Sequence, residues 1–165
     1  MNTAQYWIEQ LDMVAHPEGG YYKESFKAEE EIKSADIAEN SDGNRHLWTS
    51  IYFLIEKGDA SHFHRLKSDE MWYYHGGSPL DIYMITPQGE LKVEKLGLNI
   101  GAGEKPQILV PKNTIFGSAL DDNPFSLVGC MVSPGFDFRD FELFERKHLL
   151  EEYPEYGQVI SKLTR

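Results

Sequence analysis

Residues 46–132 alternate between short runs of β-branched and aromatic residues and short turn sequences, and this alternation constrains the fold most. In chain order the runs are LWTSIYFLIE, SHFHRL, EMWYYH, LDIYMIT, LKVEKLG, QILVP, NTIFGSAL and SLVGCMV. Turn formers such as EKGD, GGSP, PQGE, NIGAGEKP and DDNP separate them. About eight short strands at this spacing predict an antiparallel sandwich or barrel, and they argue against alternating strands and helices.

The flanking segments have a different texture. Residues 3–13 predict a short amphipathic helix with Thr3 as its N-cap, and HPEGG then breaks it before the strand-like YYKESF. Residues 28–44 are acidic and polar, which is typical of a long solvated loop, with a helical turn within it as the alternative. Beyond SPGFDFRD, whose phenylalanines we expect to seal one end of the barrel, the pattern becomes helical. We predict one mainly-β domain over 1–165, with a barrel at about 44–133, an N-terminal helix and strand at 3–27 and a C-terminal helical segment at 140–164.

Charge and cysteine content exclude several classes of function. The 165 residues include 27 acidic and 16 basic side chains, giving a formal charge of −11. Such a chain repels phosphate backbones and anionic lipid, so we expect neither nucleic acid nor membrane as a partner. With Cys130 as its one cysteine the chain can form no internal disulfide, and its N-terminus lacks the pattern of a signal peptide. We therefore expect a cytoplasmic protein.

The segment SHFHRLKSDEMWYYHGG, residues 61–77, contains the residues most suggestive of chemistry. His62 and His64 are two apart on a predicted strand, so both imidazoles project from one face while Phe63 faces the other. Glu70 begins the next strand, close enough across a tight turn to add an oxygen ligand. Two histidines and one carboxylate suit Zn, Mn, Fe or Ni. A polar, hydrogen-bonded pocket without metal is the alternative reading.

The same segment resembles the first signature of the cupin superfamily, in which a glycine precedes HxH and an acid and a second glycine follow. The matching residues here are Gly58, His62, His64, Glu70 and Gly77. Asp69 lies at the more usual spacing for the acid, but Glu70 has the better relation to the aromatic strand and Gly77.

A second cupin signature, P-x-G-x-x-H, matches PKNTIFG only in part. Pro111 is in place, Asn113 occupies the glycine position, and Phe116 stands where a fourth metal ligand is usual. Together with HPEGGYY and LVGCMVSPGFDFRDFELF, these segments are similar to the small single-domain cupin_5 group of unknown function. The resemblance covers nearly the whole chain and implies an RmlC-like jelly-roll barrel that forms a homodimer.

The expected site is a pocket at the mouth of the barrel. We assign His62 or His64 as a general base and Tyr74 as an acid. Phe116 and two further groups of side chains are candidates for ligand binding. Alternation along the aromatic strand sets Trp72 and Tyr74 on one face and His75 on the other. The resemblance places the segment that follows His16 at the border of the pocket. From the strand and this segment, the candidates for ligand binding are Trp72, His75, Glu18, Tyr22 and Lys23.

Three functions follow from this pocket. The first is an enzyme of the isomerase, epimerase or dehydratase type that acts on a sugar-nucleotide-like or other small polar metabolite, as the cupin resemblance implies. The second is a protein that binds and sequesters such a metabolite without turnover. The third is a metal-dependent cupin enzyme that uses His62, His64 and Glu70. The cofactor is accordingly either none or one divalent metal ion.

Overall fold

The computed structural model describes residues 2–37, 42–121 and 124–165. Its helices are α1 (Ala4–Gln10), α2 (Arg146–Glu152) and α3 (Gly157–Lys162). Its strands are β1 (Val14–Ala15), β2 (Tyr21–Lys27), β3 (Glu31–Ile32), β4 (Arg45–His46), β5 (Thr49–Glu56), β6 (Ala60–Arg65), β7 (Asp69–Gly77), β8 (Leu80–Ile85), β9 (Leu91–Leu96), β10 (Gln107–Val110), β11 (Ile115–Ala119), β12 (Phe125–Ser133) and β13 (Glu142–Leu143).

Two antiparallel sheets face each other. One has six strands in the order β1-β2-β5-β12-β7-β10, and the other has five in the order β13-β6-β11-β8-β9. Phe53 and Trp72 from the six-stranded sheet pack in one core cluster with Ile82 and Phe116 from the five-stranded sheet. The mainly-β antiparallel architecture predicted from the alternating runs is thus confirmed. None of the described helices is long and apolar enough to span a membrane.

The outer face of the six-stranded sheet is partly covered by α1. Thr3 caps this helix as predicted, because its Oγ1 accepts a hydrogen bond from the backbone N–H of Tyr6 at 3.2 Å. The helix ends at Gln10, three residues before the predicted end. Its side chains pack with Tyr52 and Leu54 of β5, whose neighbour Phe53 faces the opposite way, into the core.

The outer face of the five-stranded sheet is covered by α2 and α3. Phe63 packs there with Leu149 and Ile160, on the side of β6 opposite to the two histidines, as the alternation predicted. The backbone of Phe63 also accepts a hydrogen bond from Phe144 N–H and donates one to Leu163 O, at 3.1 and 2.7 Å. The C-terminal chain therefore fixes β6, the strand that carries His62 and His64.

An ion pair holds the phenylalanine-rich segment 134–141 against the start of the barrel. The guanidinium of Arg45 is almost fully buried and donates to both carboxylate oxygens of Asp140, at 2.8 and 2.9 Å. Its remaining nitrogen donates to backbone carbonyls within residues 42–44. Part of the acidic segment 28–44, predicted as a loop, therefore forms structure around β3 and β4, while residues 38–41 lie outside the described residues.

The turn between β1 and β2, residues 16–20, lies directly against β6. Gly19 and Gly20 adopt φ values of +106° and +71°, and Glu18 O accepts the backbone N–H of His62 at 2.7 Å. A Cβ on Gly19 would overlap the carbonyl oxygen of Ala60. Glycine is therefore required at position 19 both by its backbone angle and by the close approach of β6.

Gly19→Ala is expected to destabilise the protein more than Gly58→Ala, which serves as its matched control. Both glycines have positive φ, but a Cβ on Gly58 would have nothing within 4 Å. The control should therefore lose only the conformational term of about 1–2 kcal/mol, and Gly19→Ala should lose about 1–3 kcal/mol more through overpacking. Urea unfolding measures both, and equal losses would show that β6 does not confine the turn.

Candidate active site

A cavity of about 40 Å³ lies between the two sheets, beside the turn of residues 16–20. This space is sufficient for a few water molecules. Its polar lining comes from three separate parts of the chain: the turn and β2, the strands β5 and β6, and the start of β7. The polar side chains are His16, Glu18, Tyr22, Thr49, His64 and Glu70.

The side chains of Glu18 and His64 are in direct contact in the cavity, with Glu18 Oε2 3.0 Å from His64 Nε2. His64 Nδ1 lies 2.7 Å from the carbonyl oxygen of His62 and must carry a hydrogen, because a carbonyl oxygen only accepts. In neutral His64, Nε2 is then an acceptor, so the hydrogen in the contact belongs to the Glu18 carboxyl group. Ser61 Oγ donates to the other oxygen of Glu18 at 2.9 Å, which completes the hydrogen bonding of that carboxyl group.

Burial accounts for this distribution of protons. It raises the pKa of Glu18 well above its usual range, and the neighbouring Glu70 raises it further. Burial also lowers the pKa of His64 to about 3. At neutral pH the pair therefore holds one proton, which resides on Glu18, and carries no net charge.

Glu70 is a second buried carboxyl group with a different environment. Burial raises its pKa to about 7, and the hydrogen bond that Trp72 Nε1 donates to Glu70 Oε2 at 3.1 Å opposes this rise. Glu70 thus titrates near neutral pH, whereas the hydrogen bond to neutral His64 keeps a proton on Glu18. Two carboxyl groups in such different environments can serve as a base and an acid in the same cavity.

His16 completes the polar wall and was not among the predicted site residues. Its Nδ1 accepts the backbone N–H of Glu18 at 3.1 Å, and burial lowers its pKa to about 4, so the ring is neutral. The ring lies 4.6 Å from that of Tyr22 and is stacked with Phe138, whose ring centroid is 6.1 Å away. The HPEGG turn was the sequence signal that could have identified His16.

The predicted site residues on β6 and β11 fall in or beside the cavity. His64 lines it and Phe116 packs against the His64 ring, with the ring centroids 4.1 Å apart. His62 shares the face of His64 but does not line the cavity. Its ring points to the turn, where Nδ1 lies 2.5 Å from the carbonyl oxygen of Glu18. Its contact is with the turn.

On β2 and β7 the predicted residues separate into two groups. Tyr22 lines the cavity, and Trp72 lies in the core beneath it as the donor to Glu70. Tyr74 points inward but donates its hydroxyl to Gly77 O at 2.7 Å and does not line the cavity. Lys23 and His75 are exposed on the outer face, because each follows an inward-facing residue along its strand.

The residues proposed as metal ligands, His62, His64 and Glu70, do not form a ligand cluster. Each directs its side chain to another partner: His64 to Glu18, His62 to the Glu18 carbonyl, and Glu70 to the Trp72 indole. Across residues 2–37, 42–121 and 124–165, no group of three or more His, Cys, Asp or Glu has an arrangement that could hold a metal ion. The donor set of the described residues therefore does not fit a metal.

A wider depression of about 670 Å³ lies at the surface beside α2, between Glu145, Arg146 and Arg165. The Arg146 guanidinium is already hydrogen-bonded to Thr164. The depression is lined by exposed or half-exposed residues, whereas Glu18, His64 and Glu70 are buried. The cavity between the sheets is therefore the stronger candidate for a site.

The chain matches one protein family by sequence, and its fold is similar to those of several solved structures. The sequence matches the family described as Cupin_5, Cupin superfamily (DUF985), over residues 5–144. An uncharacterized protein of Saccharomyces cerevisiae, YML079W, is 28% identical over 164 residues, which cover 90% of this chain and 81% of the yeast protein.

Two solved structures superpose on the whole chain, each with a TM-score of 0.90. Protein SO0799 from Shewanella oneidensis is 52% identical, with 100% of this chain and 99% of that chain covered. A hypothetical protein from Leishmania major is 40% identical, with 99% of each chain covered. Oxalate decarboxylase from Bacillus subtilis at pH 4.6 shares only the fold, with a TM-score of 0.50, 12% identity, and 84% of this chain but 40% of that chain covered. The chain belongs to the Cupin_5 family of the cupin superfamily.

Proposed function

We propose that this cupin is an enzyme that moves protons on a small polar metabolite, in a reaction of the isomerase, epimerase or dehydratase type. The proposal rests on one observation: a buried Glu18–His64 pair shares a single proton within a cavity that also contains Glu70. An acid and a base held close together in a site with little water are the minimum that such reactions require.

The roles of the groups follow from their pKa values. Glu70, whose pKa burial raises to about 7, is partly ionised at neutral pH and accepts a proton from a substrate C–H next to a carbonyl. The electron pair of that bond moves towards the carbonyl, whose oxygen takes the proton supplied by the Glu18–His64 pair. When the substrate is an α-hydroxy carbonyl compound, the resulting enediol takes the Glu70 proton at the neighbouring carbon and returns the proton of its other hydroxyl group to Glu18. The carbonyl then lies one carbon further along, both glutamates recover their starting states, and protons and electrons balance.

The sequence assigned the acid role to Tyr74 and the base role to a histidine. We propose a different distribution because Tyr74 donates its hydroxyl to Gly77 O, whereas Glu18 and Glu70 both line the cavity. His64 stays in the site as the acceptor of the hydrogen bond that Glu18 donates. Trp72 positions Glu70 by donating to its Oε2, and Ser61 positions Glu18 in the same way.

The alternative is a protein that binds a metabolite without turnover. The observation in its favour is the enclosure of the cavity, whose side Phe136 covers and whose polar groups are already paired with one another. A ligand would exchange those hydrogen bonds for its own, and no reaction need follow.

Deuterium exchange tests the enzyme proposal without a known substrate. Small carbonyl, hydroxy and amino compounds are incubated with the protein in D₂O, and incorporation of deuterium at carbon is followed by NMR. The wild-type protein should catalyse exchange of at least one compound. Glu70→Gln and Glu18→Gln should each slow that exchange by about 10²–10⁴-fold, the usual contribution of a general acid or base.

Tyr74→Phe distinguishes this assignment from the one based on sequence. It removes the hydrogen bond to Gly77 O, at a cost of about 1 kcal/mol in stability, and should leave the exchange rate within about twofold. Loss of exchange in Tyr74→Phe with retention in Glu18→Gln would refute the proposed roles. Saturable binding with no exchange of any compound would favour the sequestering protein.

The free energy of unfolding should report the buried Glu70 directly. Its pKa is about 7 in the folded protein against 4.5 for an ordinary glutamate, a difference worth about 3 kcal/mol. Because the folded protein holds this proton more tightly, the contribution is fully present below pH 4.5 and is lost as pH rises through about 7. Glu70→Gln should therefore be more stable than the wild type at pH 8, by up to about 3 kcal/mol.

Glu155→Gln is the control for that comparison because Glu155 is exposed. Urea unfolding at pH 5 and pH 8 should give the same difference from wild type for the control at both pH values. A Glu70→Gln difference that does not grow between pH 5 and pH 8 would mean that Glu70 titrates normally.

A further inference from the structure

Among the residues that the structure describes, the side chains that line the cavity include acidic groups but no lysine or arginine to balance them. The described lining contains two carboxyl groups, those of Glu18 and Glu70, and two neutral imidazoles, and it includes neither lysine nor arginine. Nearby, Arg45 and Arg139 are paired with Asp140 and Asp137. A carboxylate or phosphate that entered this cavity would therefore lose its hydration and face acids without a compensating cation.

A cation would meet the opposite conditions. A positive charge next to Glu70 stabilises the carboxylate that burial disfavours, so the two desolvation costs are partly offset by their attraction. The whole chain, with a formal charge of −11, also attracts cations to its surface and repels anions.

Aromatic rings supply part of the remaining walls, beside the side chains of Ile51, Leu66, Cys130 and Val132. Tyr22, His16 and Phe136 line the cavity, and Phe141 packs behind them with ring centroids 6.0 Å from His16 and 5.4 Å from His64. Ring faces attract organic ammonium groups, and this attraction strengthens where water is excluded. A cavity that combines aromatic rings with carboxyl groups is therefore chemically matched to a protonated amine.

We infer that the ligand of this cavity carries a small protonated amine, whose ammonium group lies between Glu70 and Glu18 and against the rings of Tyr22 and Phe136. This inference rests on the proposed function in so far as it takes the cavity to be the place where the small molecule binds. It narrows the substrate class to amino compounds, and it places an anionic group, such as the diphosphate of a sugar nucleotide, outside the cavity.

The indole N–H of Trp72 offers a direct reporter, since it donates to the Glu70 carboxyl group. We would titrate ¹⁵N-labelled wild-type protein with ethylammonium, acetate and ethanol at equal concentration, constant ionic strength and pH 8, and follow the indole resonance by NMR. Ethylammonium should shift the Trp72 signal saturably, and the other two probes should not. Trp7, in α1, provides an internal indole reference that should not move with saturation.

Variants separate specific binding from attraction to an acidic surface. Glu70→Gln should weaken ethylammonium binding by at least about tenfold. Glu151→Gln removes one charge at an exposed position on α2 and should bind as the wild type does. Equal weakening in the two variants would overturn the inference.

The wild-type titration decides the matter even if Glu70→Gln does not fold. A saturable Trp72 shift with acetate or ethanol would also overturn the inference. The absence of a saturable Trp72 shift with all three probes would overturn it as well. The outcome is independent of catalysis. Ammonium binding without deuterium exchange would support the ammonium site and contradict the proposed enzyme activity. Deuterium exchange confined to anionic compounds would support the enzyme activity and contradict the ammonium site.

Discussion

The contact on which the site depends is made by a backbone carbonyl. Glu18 O accepts hydrogen bonds from both the backbone N–H and the ring of His62, which locks the turn of residues 16–20 onto β6. Only then does the Glu18 side chain reach His64 on the inner face of that strand. The glycine at position 19 permits this approach, and the C-terminal helices fix the other side of β6 through Phe63. The cavity is thus assembled from elements that are distant in the sequence.

Burial then gives those side chains their chemistry. In water, glutamate and histidine at neutral pH would form an ion pair or stay apart, but a low dielectric disfavours both charges and keeps the proton on the acid. The pKa of Glu18 is raised and that of His64 is lowered to about 3, both by burial. The charge of the cavity then depends on Glu70, whose pKa is about 7. The cavity is neutral when Glu70 is protonated and carries one negative charge when Glu70 is ionised. The desolvation that shifts the pKa values of these groups also lowers the stability of the folded protein.

The sequence was sufficient for features set by local periodicity and insufficient for features set by long-range contacts. Period-two alternation correctly put His62 and His64 on one face of β6 with Phe63 on the other, and it separated Trp72 and Tyr74 from His75. It could not reveal that Glu18, from a turn more than forty residues earlier, would occupy the space facing His64. It also could not show that the Tyr74 hydroxyl would bond to Gly77 O, where β7 is irregular in its register with β12. The outward direction of Lys23 likewise follows only once Tyr22 is known to face inward.

The ion pair between Arg45 and Asp140 bears on how readily the cover over the cavity can open. Asp140 belongs to the segment whose phenylalanine rings cover His16 and the side of the cavity. Swinging that segment away would separate the pair and leave a buried guanidinium without its counterion, which is costly. The cover should therefore open rarely and as one unit, so the pair would act on association and dissociation rates together while leaving the equilibrium constant nearly unchanged. We therefore expect slow exchange between the contents of the cavity and the solvent.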